Sequence, residues 1–327
     1  MKKIDIYSHL MPQRYKEALY KTTGRSFQML EIPTLSDVEK RFRMMDKYGD
    51  YRQVITPVGP VPEAIAGPEE SPELCRIAND ETAAIVARYP DRFVGGVAIL
   101  PMNNIDEAMK EADRAIKELD LRGIIIHTPI NGQPMDRPQF MPLWEKMAGY
   151  DLPIWMHPRR EQTPDYAGEP NSKYWIWCLW GWPYETTLAM TRLVFSGIFD
   201  KHPNIKFLTH HAGAMVPFFR GRIEFVYKMA GSFGKSFEMQ MSQPPVEYFR
   251  KFYNDTAING NVSGLTCAHD FFGAERVLFG ADVPYDTEGG DWSLRETIRS
   301  IEAMDIPRDD KEKIFYKNAQ QLLRLPT

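Results

Sequence analysis

Cysteine is scarce in this chain of 327 residues: only Cys75, Cys178 and Cys267 occur, far apart and odd in number. No two of them fall in a Cys-x-x-Cys spacing, which argues against both a disulfide framework and a thiolate zinc site. A strong charge of either sign is also lacking. With 40 basic and 44 acidic residues the formal net charge is −4, so no broad nucleic-acid-binding surface is expected. No apolar run is long enough to span a bilayer. The N-terminal Met-Lys-Lys-Ile-Asp-Ile-Tyr lacks the apolar core and cleavage site of a signal peptide. These absences lead to the expectation of a cytoplasmic protein that uses neither a membrane nor a nucleic acid. A Gly-, Ser- or Pro-rich linker, an internal repeat and a low-complexity tract are absent as well, which favours one domain over residues 1–327.

What is present is an alternation of short apolar runs with longer amphipathic ones. Strands are predicted near 3–8, 53–57, 94–100, 122–127, 152–157, 205–210, 252–257 and 276–281. Several are almost wholly apolar, as in Gly-Ile-Ile-Ile-His at 123–127, which suits a parallel sheet covered on both faces. Helices are predicted at 36–48, 73–89, 105–119, 138–149, 185–200, 214–230, 290–304 and 310–324 from their apolar spacing. Eight strands alternating with helices indicate an α/β fold, a (β/α)8 TIM barrel with inserted loops and helices, rather than an open doubly wound sheet. The insertions are expected at about 20–35, 159–184 and 230–250, since the length exceeds the ~250 residues of a bare barrel.

Working residues of such barrels lie at the C-terminal ends of the strands. Here those ends carry Tyr7 and His9, His127, His157, His210 and His211, and Asp282. Imidazoles and a carboxylate around one mouth suit a hard or borderline divalent cation. The first strand reads Ile-Asp-Ile-Tyr-Ser-His over 4–9. Strict alternation puts Asp5, Tyr7 and His9 on one face and Ile4, Ile6 and Ser8 on the other. A His-x-His pair there would supply two ligands, but this chain has Tyr-x-His. His210 and His211 are adjacent, so on a continuing strand only one can face the mouth, and periodicity does not choose between them. Asp282 in isolation could simply cap a helix. His202 sits in a polar turn and is given no role; His269 is expected on a helix as a structural residue.

The ordered series of segments resembles the amidohydrolase superfamily, in the branch of aminocarboxymuconate-semialdehyde decarboxylase and the resorcylate and related aromatic-acid decarboxylases. Its carriers include Ile-Asp-Ile-Tyr-Ser-His-Leu (4–10), Met-Asp-Lys-Tyr-Gly (45–49), Pro-Ile-Trp-Met-His-Pro (153–158), Gly-Trp-Pro-Tyr-Glu-Thr-Thr (181–187) and Ser-Gly-Ile-Phe-Asp-Lys-His-Pro (196–203). They continue with Thr-His-His-Ala-Gly-Ala-Met-Val-Pro-Phe-Phe-Arg-Gly-Arg-Ile (209–223) and Leu-Phe-Gly-Ala-Asp-Val-Pro-Tyr (278–285).

The resemblance implies that His9, His157 and Asp282 bind a divalent metal, Zn2+ by preference with Mn2+ as an alternative. It implies that His211 is the acid/base, singled out over His210 by its distance to Gly213 and Pro217, with Asp282 assisting. Arg222 matches an arginine that holds a carboxylate in a neighbouring subunit's site, which implies a homodimer or higher homo-oligomer. Arg41 and Arg43 are poorer candidates for that task. Tyr7 departs from the pattern, which has His or Glu here. It could bind as a phenolate, hydrogen-bond to a metal-bound water or the substrate, or mark a site without metal. Tyr7, His127 and Trp177 are expected substrate contacts, Trp177 because the insertion 173–184 holds four of the seven tryptophans and suits an aromatic wall or a subunit interface. The expected activity is non-oxidative decarboxylation of a small aromatic or unsaturated carboxylic acid. Metal-dependent hydrolysis or hydration of a related acid, and a metal-free barrel that binds one, are the alternatives.

Overall fold

The computed structural model describes residues 1–160, 163–234 and 241–325. The expected insertions at 159–184 and 230–250 therefore lie partly outside the described residues. Among the described residues eight strands are formed: β1 (Lys3–His9), β2 (Tyr51–Thr56), β3 (Phe93–Gly96), β4 (Ala98–Ile99), β5 (Ile124–Thr128), β6 (Ile154–Pro158), β7 (Phe207–Thr209) and β8 (Tyr253–Asn254). All pair in parallel, as β1-β2-β3 and β4-β5-β6-β7-β8. β3 and β4 are two halves of the single strand predicted at 94–100. The chain changes partner at Val97, whose N–H bonds Ile55 O, while the next N–H, of Ala98, bonds Gly123 O.

The strand predicted at 276–281 is not regular. Segment 277–283 instead closes the ring through separate backbone bonds: Leu278 N–H to Asn254 O on one side, and Ile6 N–H to Phe279 O, Asp282 N–H to Tyr7 O and His9 N–H to Val283 O on the other. Gly280 lies in this segment. A Cβ there would come within 3.0 Å of Asp255 Cβ and 3.2 Å of Tyr7 Cβ, so a larger residue would have to push β1 and the residue after β8 apart by a few tenths of an ångström.

Alternation then sorts the apolar side chains. Ile124, Ile126, Ile154, Met156 and Phe207 pack with helix residues such as Ala112, Leu143, Met147 and Leu193. Their neighbours Ile125, Trp155 and Leu208 pack with Ile4, Ile6, Val54, Ile99 and Leu278 in the other major cluster, inside the ring. The helices fall close to expectation, among them Ser71–Arg88, Ile105–Lys117, Met141–Tyr150, Gly181–Phe195 and Asp291–Ala303. His269 does lie on a helix, Val262–Phe272.

One facing assignment is corrected. The β1–β2 register shifts between Asp5 and Ser8, so strict alternation fails along β1. Tyr7 joins Ile4 and Ile6 in the inner cluster, whereas Asp5 turns away and accepts a bond from Tyr51 Oη at 2.8 Å. A bulge adds one residue to a strand, and one residue flips every side chain beyond it.

Candidate metal centre

His9, His157, His210 and Asp282 each present one donor atom, and these atoms all lie within 4.8 Å of one another. The strands explain the convergence. His9 ends β1, His157 lies one residue before the end of β6, His210 follows β7, and Asp282 sits in the closing segment beside β1. His9 Nε2 is 3.0 Å and His210 Nε2 3.5 Å from the same oxygen, Asp282 Oδ1. All three atoms are buried without a properly aligned hydrogen bond.

The other nitrogen of each imidazole is occupied. His157 Nδ1 is 2.8 Å from Pro158 O, which fixes Nδ1 as the donor and leaves Nε2 as the base. His9 Nδ1 is 3.2 Å from Thr56 Oγ1. His210 Nδ1 bonds the Asp255 carboxylate, whose Oδ1 is itself held by the N–H groups of Ala212 and Ala257 at 2.9 and 3.0 Å. Imidazoles oriented from behind in this way are the usual support of a metal site. Buried donor atoms that converge but do not bond one another fit a divalent cation.

Electrostatics follow from the same packing. Burial opposes ionisation of Asp282, but His210 and then His9 override it and hold the carboxyl well below its usual range. Burial also opposes a proton on His210, yet Asp255 and Asp282 raise it to about 10. A cation and that proton compete for the same nitrogen. Burial, then His127, His210 and His9, hold His157 well below its ordinary value.

Of the two adjacent histidines only His210 joins the four-atom group, while His211 packs beside it. Strand β7 stops at Thr209, and His211 has φ 58°, followed by φ 54° at Ala212. The left-handed backbone folds the His211 ring back to 3.8 Å from that of His210. His211 is half-buried and outside the four-atom group; burial, then His210, push it down to about 3.

Tyr7 is at the centre but its hydroxyl donates to Met156 O at 3.1 Å. Burial, then the charges of Asp255 and Asp282, push its phenol well above the ordinary value, so it stands as a neutral phenol. His127 is buried beside the group, its ring 5.1 Å from that of His157; burial, then His9 and Arg159, lower it to about 3.

Trp177 stands one ring away from the histidines. It contacts Trp182 at 5.6 Å, and Trp182 in turn lies 5.9 Å from the His157 ring and 6.3 Å from that of His211. Arg222 is not brought to this centre; it is exposed on a helix, Arg220–Ser232, that buries none of its residues. Arg41 is fully buried and bonds Gln53 Oε1, His9 O and Thr34 O at 2.6, 2.7 and 3.0 Å, which makes it a brace for β1 and not a reader of carboxylates. Arg43 is exposed.

Two site residues were missed from the sequence. Asp255 lies within the strand predicted at 252–257, two residues before its expected end, and the observed strand β8 stops just ahead of it, at Asn254. Trp182 lies inside the Gly-Trp-Pro-Tyr segment, and its ring stands nearer the histidines than that of Trp177.

A parallel α/β ring with a His/Asp cluster at its strand ends defines a class of barrel built to hold a divalent cation. The comparisons make this specific: residues 4–325 match the family described as Amidohydrolase, and the chain belongs to it. Gamma-resorcylate decarboxylase of Polaromonas sp. (strain JS666 / ATCC BAA-500) is 30% identical over 296 residues, 88% of this chain and 87% of that one. Among solved structures, 5-carboxyvanillate decarboxylase from Sphingomonas paucimobilis superposes with a TM-score of 0.85 at 26% identity, covering 99% of each chain. Dihydroxybenzoic acid decarboxylase from Polaromonas sp. JS666, with bound manganese and the inhibitor 2-nitroresorcinol, superposes with a TM-score of 0.82 at 28% identity, covering 99% of this chain and 97% of that one.

Proposed function

We infer that this protein is a metal-dependent non-oxidative decarboxylase, a carboxy-lyase acting on a small aromatic carboxylic acid with a hydroxyl beside the carboxylate. The observation that carries this reading is the convergence of buried, unbonded donor atoms next to an imidazole outside their group. It occurs in a chain akin to resorcylate and carboxyvanillate decarboxylases. His9, His157 and Asp282 would hold the cation. Their N and O donors suit Zn2+ and, with a carboxylate among them, also Mn2+, the ion bound in the Polaromonas structure. When bound, the cation supplies Lewis-acid polarisation of the substrate's oxygens.

His211 then gives a proton to the ring carbon that bears the carboxylate. An anionic substrate brings the negative charge that favours the imidazolium form. The carbon–carbon bond breaks, its electron pair returns to the ring, and CO2 leaves. Trp182 forms the aromatic wall against which a planar acid stacks, with Trp177 behind it. His127 backs His157 at the edge of the pocket.

The working form is proposed to be a homodimer. On and beside the helix Arg220–Ser232, Phe218, Phe225 and Phe233 are 78%, 61% and 73% exposed, large apolar side chains that a partner surface would cover. Arg222, exposed on that helix, would then serve a neighbouring copy's site. Free thiols suit a reducing cytoplasm.

The test is a panel of ortho-hydroxybenzoates incubated with metal-loaded protein in D2O. CO2 release with deuterium at the vacated ring carbon is expected. Hydrolysis of lactone or amide substrates with no CO2 from any acid would overturn the assignment in favour of the hydrolase reading.

A further inference from the structure

Strand β1 supplies one donor to the four-atom group, and the position that would supply a second is Tyr7, whose hydroxyl is spent on Met156 O. We propose that His210 is the fourth protein ligand of the metal and that Tyr7 is the aromatic support that sets the His210 ring. This rests on the metal-centre reading above and adds to it a change in where the fourth donor comes from: β7 in place of β1.

Three features fix His210 in that role. Its Nδ1 is committed to Asp255, a carboxylate pinned by two backbone N–H groups, so the ring cannot turn to offer that nitrogen elsewhere. Its Nε2 is therefore the free donor, buried without a hydrogen-bond partner and 3.5 Å from Asp282 Oδ1. The ring is also clamped between two others. Tyr7 stacks on it at 4.0 Å with an interplanar angle of 13°, and the His211 ring is 3.8 Å away. A carboxylate, an imidazole and a metal in line is a common arrangement in which the outer acid orients the ligand and raises its basicity.

The competing explanation is a buried ion triad, Asp255–His210–Asp282, with no cation. It leaves His9 Nε2, 3.0 Å from that same Asp282 oxygen, without an aligned partner. A cation satisfies all four donors at once.

Tyr7 gains a purpose from the same geometry. It lies flat on His210 while its hydroxyl donates to the β6 backbone at Met156 O, so in this pose the ring supports the ligand and the oxygen is not one.

Metal affinity by chelator competition and the visible spectrum of the Co2+-loaded protein test this without relying on turnover. His210→Asn keeps an N–H for Asp255 but removes the ligand nitrogen. It is expected to weaken binding by more than about 100-fold, beyond the ~10–100-fold typical of an outer partner, and to change the Co2+ bands. Tyr7→Phe should keep affinity within about 3-fold, since a ring of the same shape remains. Tyr7→His combined with His210→Asn should regain metal by returning the ligand to β1.

A crystal structure of the Mn2+-loaded wild type checks the same point with no variant that could misfold. His210 Nε2 is expected within roughly 2.0–2.3 Å of the ion. If His210→Asn keeps wild-type affinity and spectrum while His157→Ala loses the metal, His210 is not a ligand and the inference falls, with the metal centre intact. If Tyr7→Phe is the variant that loses metal, Tyr7 is the ligand and the inference falls likewise. If the wild type takes up neither Mn2+, Zn2+ nor Co2+, the metal reading itself is overturned.

Discussion

At Asp5, strand β1 feeds a buried polar cluster whose members bond one another; four residues on, at His9, it feeds one whose members do not. In the first, Asp5 accepts from the N–H groups of Tyr7 and Ala281 and from Tyr51 Oη. Gln53 donates to Tyr51, and Arg41 donates to Gln53 and to the His9 carbonyl. Only Arg41 Nη2 in that chain is buried without a partner among the described residues. In the second cluster, the donor atoms of His9, His210 and Asp282 converge without a bond. A buried polar group left unbonded costs about 1–3 kcal/mol. A fold tolerates that in one place when something bound there offsets the cost. What sets the second cluster apart is that its unsatisfied atoms converge, which is why it is proposed as the site and the first as scaffold, although both hang from the same strand.

Breaking the site should abolish chemistry and spare the fold. His157→Ala is expected to lose the metal and to slow CO2 release by at least about 10³-fold, with an unchanged urea midpoint in the presence of chelator. Breaking the scaffold should do the opposite. Arg41→Ala leaves three acceptors of the first cluster short of a donor, and urea denaturation is expected to register a loss of about 3–5 kcal/mol. The folded fraction should still bind one metal ion.

The comparison sharpens when the site is filled. Metal at 100 times its Kd should stabilise the wild type by about 2.7 kcal/mol, read as a shift in thermal midpoint, and should leave His157→Ala unmoved. A smaller effect is expected at the wall. Trp182→Ala removes a ring beside His157 and His211 and should raise KM for an aromatic acid about 10-fold, roughly 1.4 kcal/mol, with metal stoichiometry unchanged.

Much of this was readable in the sequence because barrel strands announce themselves. Ile124–Ile126 and Phe207–Leu208 are apolar on both faces, and histidines close such runs at His127, His157 and His210. What could not be read depends on backbone geometry that no apolar pattern encodes. The bulge in β1 separates Asp5 from Tyr7, and nothing in Ile-Asp-Ile-Tyr marks the extra residue. The left-handed turn at His211 packs its ring beside that of His210; a continuing strand would not do this, and the following Ala-Gly-Ala hints at it only weakly. The last stave pairs through scattered backbone bonds, with Gly280 packed close against Asp255 and Tyr7, which an apolar run does not reveal. An arginine's sequence position does not reveal burial, and Arg41, fully buried with three bonds, braces β1 instead of reading a carboxylate.

If the unbonded donors at the mouth hold the ion on which decarboxylation depends, activity must follow metal loading. The protein is stripped with chelator and Mn2+ is titrated back while CO2 release from an ortho-hydroxybenzoate is followed. Activity that is absent in the stripped protein, rises linearly and breaks at one equivalent per chain is the expected result. Full activity in the stripped protein, or none at any metal loading with metal demonstrably bound, would contradict it.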